Sequence, residues 1–337
     1  MKLHVFNPEH DIALASNLSN FTAPHAGRQL RADLGFLPAL WARNEDAILV
    51  DCVDVAQRRY NRLRNRIQGQ KPMFVGRHQL ARLDITEVDP WGWDMALRAQ
   101  LLRCGVRCVP TEASIAEIRQ LSHRHTAARL LSLLQADGTV GEAVECCIAE
   151  EVEDLLKRWQ QVVLKAPWSS SGRGVRFVSE LTTPVVNWVK NVIITQGSVM
   201  VEPYYKKVRD FGMEFYAHKD GHISYEGLSL FHTTNGAYTG SILSTECDKE
   251  SMISRYIPIN LLHTIREKIC KHLTLGTYVG PLGVDMMVTS HGVHPCVEIN
   301  LRRTMGHVAL SLTPQDGNRR VMRIQLEGSY KLKLRKL

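Results

Sequence analysis

The stretch GVDMMVTSHGVHPCVEIN, residues 283 to 300, sets two β-rich apolar runs on either side of Ser290, His291 and Gly292, a pattern that specifies a hairpin. A symmetric turn there places Asp285 nearly opposite Glu298, on strands roughly 4.8 Å apart. Asn300 then shares a face with Glu298 by the strand period of two. The neighbours Val284, Met286, Val288, Val297 and Ile299 are apolar, so the acids lie in a segment that expects burial, where carboxylates without a cation are costly. Two carboxylates and an amide oxygen make a hard oxygen site suited to Mg²⁺ held together with nucleotide phosphates. The competing reading is a solvent-facing sheet carrying unrelated acids.

Ahead of this hairpin the pattern changes twice. From KLHVFN through a helical RQLRADLGFLPALWA, then AILVDC, a basic helix, PMFVG and a helix from about Asp94 to Arg103, strand-like and helix-like segments alternate. Such alternation predicts an α/β layer on a parallel sheet. Pro110 and Thr111 then open one helix, and Ser122 is expected to cap a second, HRHTAARLLSLLQ, which ends near Gly138. AEEVEDLLKRW is amphipathic through Val152, Leu155, Leu156 and Trp159 and runs into the strand QVVLKA. A helix over Thr182 to Gln196, the short buried strand SVMVEPYY, a hairpin turning at Lys219, Asp220 and Gly221, and a helix from about Leu261 to Leu273 complete the second half.

Charge narrows the partners. The chain of 337 residues carries a net +8 at pH 7, part of it in the tail SYKLKLRKL, whose period of two reads as an edge strand with a solvated charged face. A second cluster, RRYNRLRNR at 58 to 66, reads as a helix exposing its arginines and turning Tyr60, Leu63 and Ile67 inward. It lacks the aromatics on which bases stack, so nucleic acid is not the expected partner; anionic small molecules and nucleotides are. No apolar run approaches the roughly 18 residues of a membrane span, and MKLHVFNPEHDIALA lacks the pattern of a secretion signal, so the cytoplasm is the expected location. Eight cysteines without a C-x-x-C pair are expected to be buried free thiols.

Three further segments carry candidate chemistry. In VVLKAPWSSSGRGV, Lys165 ends a strand and Ser169, Ser170, Ser171, Gly172, Arg173 and Gly174 form a loop able to aim backbone N–H groups at an anion. It is not a Walker loop, since G-K-[ST] is absent, and the plain alternative is a surface turn. In VEPYYKKVRDFGMEFY, Glu202 could accept from an adenine amino group and Asp210 could meet a ribose hydroxyl, or each could be an ordinary strand-end acid. In FNPEHDIALASN, Asn7, Glu9, His10 and Asp11 directly follow the first strand, where ligands of α/β sheets gather, and a capped turn is the equal alternative. His232, Thr233, Asn235 and Tyr238 in LFHTTNGAYTGS follow a strand in the same way.

In this order, VVLKAPWSSSGRGV, VMVEPYY with RDFGMEF, GPLGVDMMV and HPCVEINLRR resemble the ATP-grasp superfamily across about residues 111 to 312. The resemblance implies an N-terminal α/β, Rossmann-like pre-ATP-grasp domain followed by an ATP-grasp fold of two α+β subdomains. The expected division is 1–110, then 111–203 with the phosphate loop, 204–325 with the magnesium site, and a basic tail at 326–337. It assigns Lys165 and residues 169–174 to ATP phosphates, Glu202 and the backbone around Tyr204 to adenine, and Asp210 to ribose. Asp285, Glu298 and Asn300 become Mg²⁺ ligands, and Arg302 the arginine that steadies the transferred phosphoryl group. Arg124 stands where the family usually has a lysine, and an arginine there offers two donors in a different geometry. Gly212 stands where many members carry a basic residue. Asn7, Glu9, His10, His232, Asn235, Tyr238 and Arg303 are the candidates for substrate contact.

The activity so implied is an ATP-dependent carboxylate-amine or peptide-type ligation through an acylphosphate. Its cofactors would be ATP and two Mg²⁺ ions, with Mn²⁺ as an alternative, and its partners a small-molecule or peptide carboxylate and an amine. A homo-oligomer is compatible with it. The alternatives are a small-molecule kinase on the same fold and a nucleotide- or nucleic-acid-binding module without catalysis.

Overall fold

A computed structural model describes residues 1–67, 69–169, 174–234, 237–314 and 316–337. The chain groups into two compact units that are not consecutive in sequence: Met1–Arg119 with Thr239–Glu246 and Arg302–Leu337, and Gln120–Tyr238 with Cys247–Leu301.

The first unit begins with β1 (Lys2–Val5), α1 (His10–Ser16), α2 (His25–Leu34), β2 (Ala47–Leu49), α3 (Val53–Ile67), β3 (Met73–Val75), β4 (Glu87–Pro90), α4 (Met95–Arg103) and α5 (Glu112–Leu121). Its four strands form a parallel sheet in the order β3-β2-β1-β4, so the chain winds outward from β1 and then crosses to its other side. Apolar strands of this kind are covered on their faces by helices. Leu3, Val5, Ala47, Leu49 and Val75 meet Leu97 and Leu101 of α4 in the core. The basic helix α3 turns Tyr60 and Leu63 inward as expected, and the Tyr60 hydroxyl donates to the Gln70 carbonyl at 2.8 Å. RQLRADLGFLPALWA is not one helix: α2 stops at Leu34, and a separate 3₁₀ turn covers Leu37–Leu40. Pro38 explains the break, because it supplies no N–H to continue α2.

The second unit starts with α6 (Arg124–Leu133), β5 (Val144–Cys146), α7 (Ala149–Trp159), β6 (Val162–Lys165), β7 (Val175–Val178), α8 (Thr183–Gln196) and β8 (Val199–Pro203). Antiparallel strands in the order β5-β8-β6-β7 pack Val162, Leu164, Val199 and Val201 against Val152 of α7 and Val189 and Val192 of α8. The cap of α6 is His123 rather than Ser122: the His123 ring nitrogen Nδ1 accepts from the His125 N–H at 3.0 Å, and Ser122 lies one residue too early to do so.

Beyond β8 the chain forms β9 (Lys207–Ala217), β10 (Ile223–Ser229), β11 (Phe231–Thr234), β12 (Ala237–Leu243), α9 (Glu246–Ile253), α10 (Ile259–His272), β13 (Gly280–Thr289) and β14 (Gly292–Asn300). The second sheet of this unit has the order β10-β9-β13-β14 and is antiparallel throughout. α10 buries Leu261, Leu262, Ile265 and Ile269. The chain then returns to the first unit through α11 (Met305–Ser311), β15 (Arg320–Leu326) and β16 (Tyr330–Lys336), where β15 pairs with both β12 and β16. The basic tail is thus the expected edge strand.

The cysteines correct one expectation. Only Cys146 and Cys296 are buried, while Cys52, Cys147 and Cys247 are exposed. Among the described residues no helix is long and apolar enough to cross a membrane.

Candidate active site

The β13–β14 register pairs Asp285 with Glu298 and Gly283 with Asn300; the turn alone, with Thr289 opposite Gly292, would set Asp285 against Cys296, and a register shift beyond Met287 brings Glu298 opposite instead. Asn300 Nδ2 donates to Asp285 Oδ2 at 3.1 Å, so the three oxygen-bearing side chains form one group on the hairpin. Around them Val284, Met286, Val288 and Ile299 are buried. The pairing is interrupted between Asp285 and Met287: the single Met286 faces Pro295, Cys296 and Val297, because the next pair is Met287 with His294. A bulge of this kind re-aims neighbouring groups, and a proline, which cannot donate to the ladder, is tolerated within it. The Val297 carbonyl here lies 3.4 Å from Lys165 Nζ.

Cations converge on the same hairpin from two other elements. Arg124, at the first turn of α6 and 8% exposed, donates from Nη2 to Glu298 Oε1 at 2.9 Å and to Ser169 Oγ at 3.1 Å, and from Nε to the Ala166 carbonyl at 3.0 Å. One guanidinium thereby ties the hairpin to the start of the serine-glycine loop, which a lysine could not do through a planar fork. The turn carrying it is braced by its neighbours. With Nδ1 of His123 accepting the backbone N–H, the ring proton belongs on Nε2, which lies 3.5 Å from Glu145 Oε1. Trp168 packs edge-on against this ring, with centroids 4.7 Å apart.

Lys165, at the end of β6, places Nζ 2.6 Å from the Glu202 carboxylate on β8, and both side chains are buried. Removing either partner would leave an uncompensated charge in a dry place. Glu202, expected at adenine, is therefore in this structure the partner of Lys165. His294 lies in the same surroundings at 1% exposure; burial holds its pKa down at about 4, against the opposing charge of Glu202.

The loop between β6 and β7 has a closed neck. The Ala166 N–H donates to the Gly174 carbonyl at 2.8 Å, and the Trp168 N–H donates to Gln196 Oε1 at 3.0 Å. A Cβ on Gly174 would stand 2.3 Å from Ser169 Cβ, so any side chain there must push the neck apart. Trp168 is 8% exposed, which makes it an anchor of the neck. Ser170, Ser171, Gly172 and Arg173 lie outside the described residues, as does Asn235.

Other expected contacts are placed as follows. Tyr204 is exposed and stands edge-on to Phe177 at 6.0 Å, and Asp210 is held by Lys207 at 2.6 Å and by the Thr233 hydroxyl. Gly212 pairs with Asp285, and a Cβ there would lie 3.1 Å from the Val284 carbonyl and 3.4 Å from Asp285 Oδ1. His232 is exposed, and Tyr238 is half-buried near Phe231.

Arg302 and Arg303 belong to the first unit, and so do Asn7, Glu9 and His10. Arg302 is clamped bidentately by Asp11 at 2.7 and 2.8 Å. Arg303 donates to Asp89 at 2.9 Å and lies over the Trp41 ring at 4.5 Å. Asn7 Nδ2 donates to the Gly92 carbonyl at 2.8 Å and to Asp94 Oδ2 at 3.1 Å, while His10, 1% exposed, places Nδ1 3.6 Å from Asp94 Oδ2. Sequence reasoning passed over His4, which sits on the central strand β1 with one ring nitrogen 2.9 Å from Asp89 and the other 3.3 Å from Asp46. Its one visible signal was a titratable residue set between Leu3 and Val5 in a short strand.

No protein-family model matches the chain, and no curated protein matches it in sequence. Solved structures do. N5-carboxyaminoimidazole synthetase from Staphylococcus aureus, complexed with ADP, superposes with a TM-score of 0.53 at 12% identity, covering 96% of this chain and 82% of that one. Biotin carboxylase from Campylobacter jejuni, in its βγ-ATP complex, gives 0.52 at 12% identity, covering 96% and 75%. The biotin carboxylase domain of Hydrogenobacter thermophilus 2-oxoglutarate carboxylase, complexed with MgADP and bicarbonate, gives 0.52 at 12% identity over 96% and 74%. The architecture is that of an α/β domain followed by two α+β subdomains. It is the ATP-grasp fold preceded by a pre-ATP-grasp domain.

Proposed function

We propose that the protein is an ATP- and Mg²⁺-dependent ligase that activates a carboxylate as an acylphosphate for attack by an amine. The observation that carries this reading is the hairpin pair Asp285 and Glu298, joined by Asn300 and met by Arg124 and Lys165 beside a closed-neck loop. The ADP, βγ-ATP and MgADP in the neighbours' complexes support nucleotide use, and bicarbonate, itself a carboxylate-like oxyanion, accompanies MgADP in one of them.

The donor chemistry of the hairpin fits magnesium. Asp285, Glu298 and the Asn300 amide oxygen are hard ligands, and a carboxylate has enough lone pairs to accept Arg124 and a metal together. Mg²⁺ held there would neutralise charge on phosphate oxygens. Lys165 and Arg124 add fixed donors, and the Ser169 hydroxyl, held by Arg124 Nη2 at 3.1 Å, lies beside them. An oxygen of the substrate carboxylate attacks the γ-phosphorus and ADP leaves; the amine then attacks the acyl carbon, phosphate leaves, and the amine gives up a proton. Phosphoryl transfer of this kind asks the protein for position and charge rather than for a nucleophile. Arg302 is assigned to the transferred phosphoryl group by its place two residues beyond Asn300, and its clamp on Asp11 would hold the guanidinium plane.

The test is ADP release with pooled acids and amines. Release of ADP and phosphate only when both an acid and an amine are present supports the ligase. A phosphorylated acceptor as final product replaces it with a kinase, and salt-sensitive RNA binding with no ATP turnover under any acceptor replaces it with a binding module.

A further inference from the structure

The first unit contains a polar cavity of about 370 Å³ at the C-terminal ends of β1, β2 and β3, within the size range of small-molecule sites. In a parallel sheet of this winding, ligands collect at that end of the strands. Four arginines line it: Arg28 and Arg31 from α2, Arg77 after β3, and Arg103 in the last turn of α4.

The charges do not cancel locally. Arg31 is taken by Glu9 and, at 3.3 Å, by Asp51, which also lies 3.6 Å from Arg77. Asp94, the remaining acid of the lining, caps α4 through the Leu97 N–H and accepts from Asn7. Arg28 spends one nitrogen on the Ala23 carbonyl at 3.0 Å. Among the described residues, neither Arg28 nor Arg103 has a carboxylate within ion-pair distance, which leaves two guanidinium groups for an anion.

Glu9 presents the complementary need. It is 9% exposed, its Oε1 is paired with Arg31, and among the described residues its buried Oε2 has no hydrogen-bond partner. A buried acceptor left without a donor is expensive, and a bound N–H group would satisfy it. Phe6, Phe21 and Leu97 supply apolar lining for carbon between the two ends of a ligand.

We propose that this cavity binds an anionic amine, with Arg28 and Arg103 on the anionic group and Glu9 Oε2 on the ammonium. An α-amino acid and a phosphorylated amine share this chemistry. The assignment rests on the ligase reading in one respect: it makes the bound compound the amine that attacks the activated carboxylate.

The experiment is calorimetric titration of the full chain, without ATP, using the common amino acids, phosphoethanolamine and inorganic phosphate. An amino acid or phosphoethanolamine should bind, and the responding one identifies the anionic group. Glu9→Gln should weaken that ligand at least about tenfold while sparing inorganic phosphate, and Arg103→Ala, at an exposed position with little effect on folding, should weaken both. No binding by any of these compounds, or binding of phosphate alone with no response to Glu9→Gln, overturns the proposal. Amine binding that obeys both variants, with no ADP release when acids are added, leaves the cavity assigned and removes the ligase reading. ADP release driven by amines indifferent to both variants does the reverse.

Discussion

The two units handle buried charge differently. In the second, Asp285 and Glu298 come from one hairpin, Lys165 from a strand of the other sheet and Arg124 from a helix end, and Glu298 keeps 31% of its side chain exposed. In the first, His4 is held between Asp89 and Asp46 while Arg303 donates to the same Asp89 oxygen that His4 meets, and none of the four side chains exceeds 16% exposure. The first arrangement leaves carboxylate lone pairs for something that arrives; the second spends its polar groups on one another. A buried charge cluster is thus a candidate site only when its partners leave capacity over.

The largest expected effect lies at the hairpin. Asp285→Ala or Glu298→Ala should lower ATP turnover by about a hundred- to a thousandfold or more, with loss of Mg²⁺-dependent nucleotide binding and little change in thermal midpoint. Nucleotide titration with and without Mg²⁺ measures this, and parent-like affinity in either variant would dissolve the contrast between the units. His4→Ala should act the other way round. It removes the common partner of two buried carboxylates and should cost about 3 kcal/mol of stability by denaturant titration, leaving the nucleotide affinity of the folded protein unchanged.

Acid separates the units further. Burial raises the Asp89 pKa, yet the His4 hydrogen bond and the charges of Arg303 and His4 outweigh it and hold the carboxyl at about 2 instead of its ordinary 3.8. Its contribution is complete above 3.8 and is lost as pH falls toward 2. His294 is depressed from 6.5 to about 4, so the unfolded chain takes up a proton first, and stability is lost as pH falls from 6.5 through 4. Acid titrations of stability should therefore show an upper window abolished by His294→Leu and a lower one abolished by Asp89→Asn. A single window insensitive to both variants would contradict these assignments.

The smallest effect belongs to Gly174→Ala. The neck beside Ser169 must open to admit the methyl group, and we expect about a three- to tenfold weakening of ATP with stability lowered by about 1 kcal/mol. Unchanged affinity would detach the neck from the nucleotide.

What the sequence disclosed follows the same division. The β13–β14 hairpin, the inward face of α3 and the amphipathic α7 were legible because hairpin turns and helical periods act over short chain distances, whereas the bulge that sets Asp285 against Glu298 left no such pattern. The partners of Asn7 and Arg302 were not, since Asp94 lies 87 residues from Asn7, and Asp11 lies 291 from Arg302. Such pairs are made by crossovers, and no local pattern encodes them. His123 was missed as a cap for a chemical reason: a ring nitrogen did the work for which a hydroxyl was expected.

Pro295, Cys296 and Val297, the three residues set against Met286, carry one more consequence. In a strand, one residue more or fewer turns every following side chain to the opposite face. A single deletion in this triplet would therefore swing Glu298 and Asn300 away from Asp285, whereas replacing one of the three residues would leave their facing intact. At this point the chain is constrained in length more than in composition, and natural variation should reach it as substitution and not as insertion or loss.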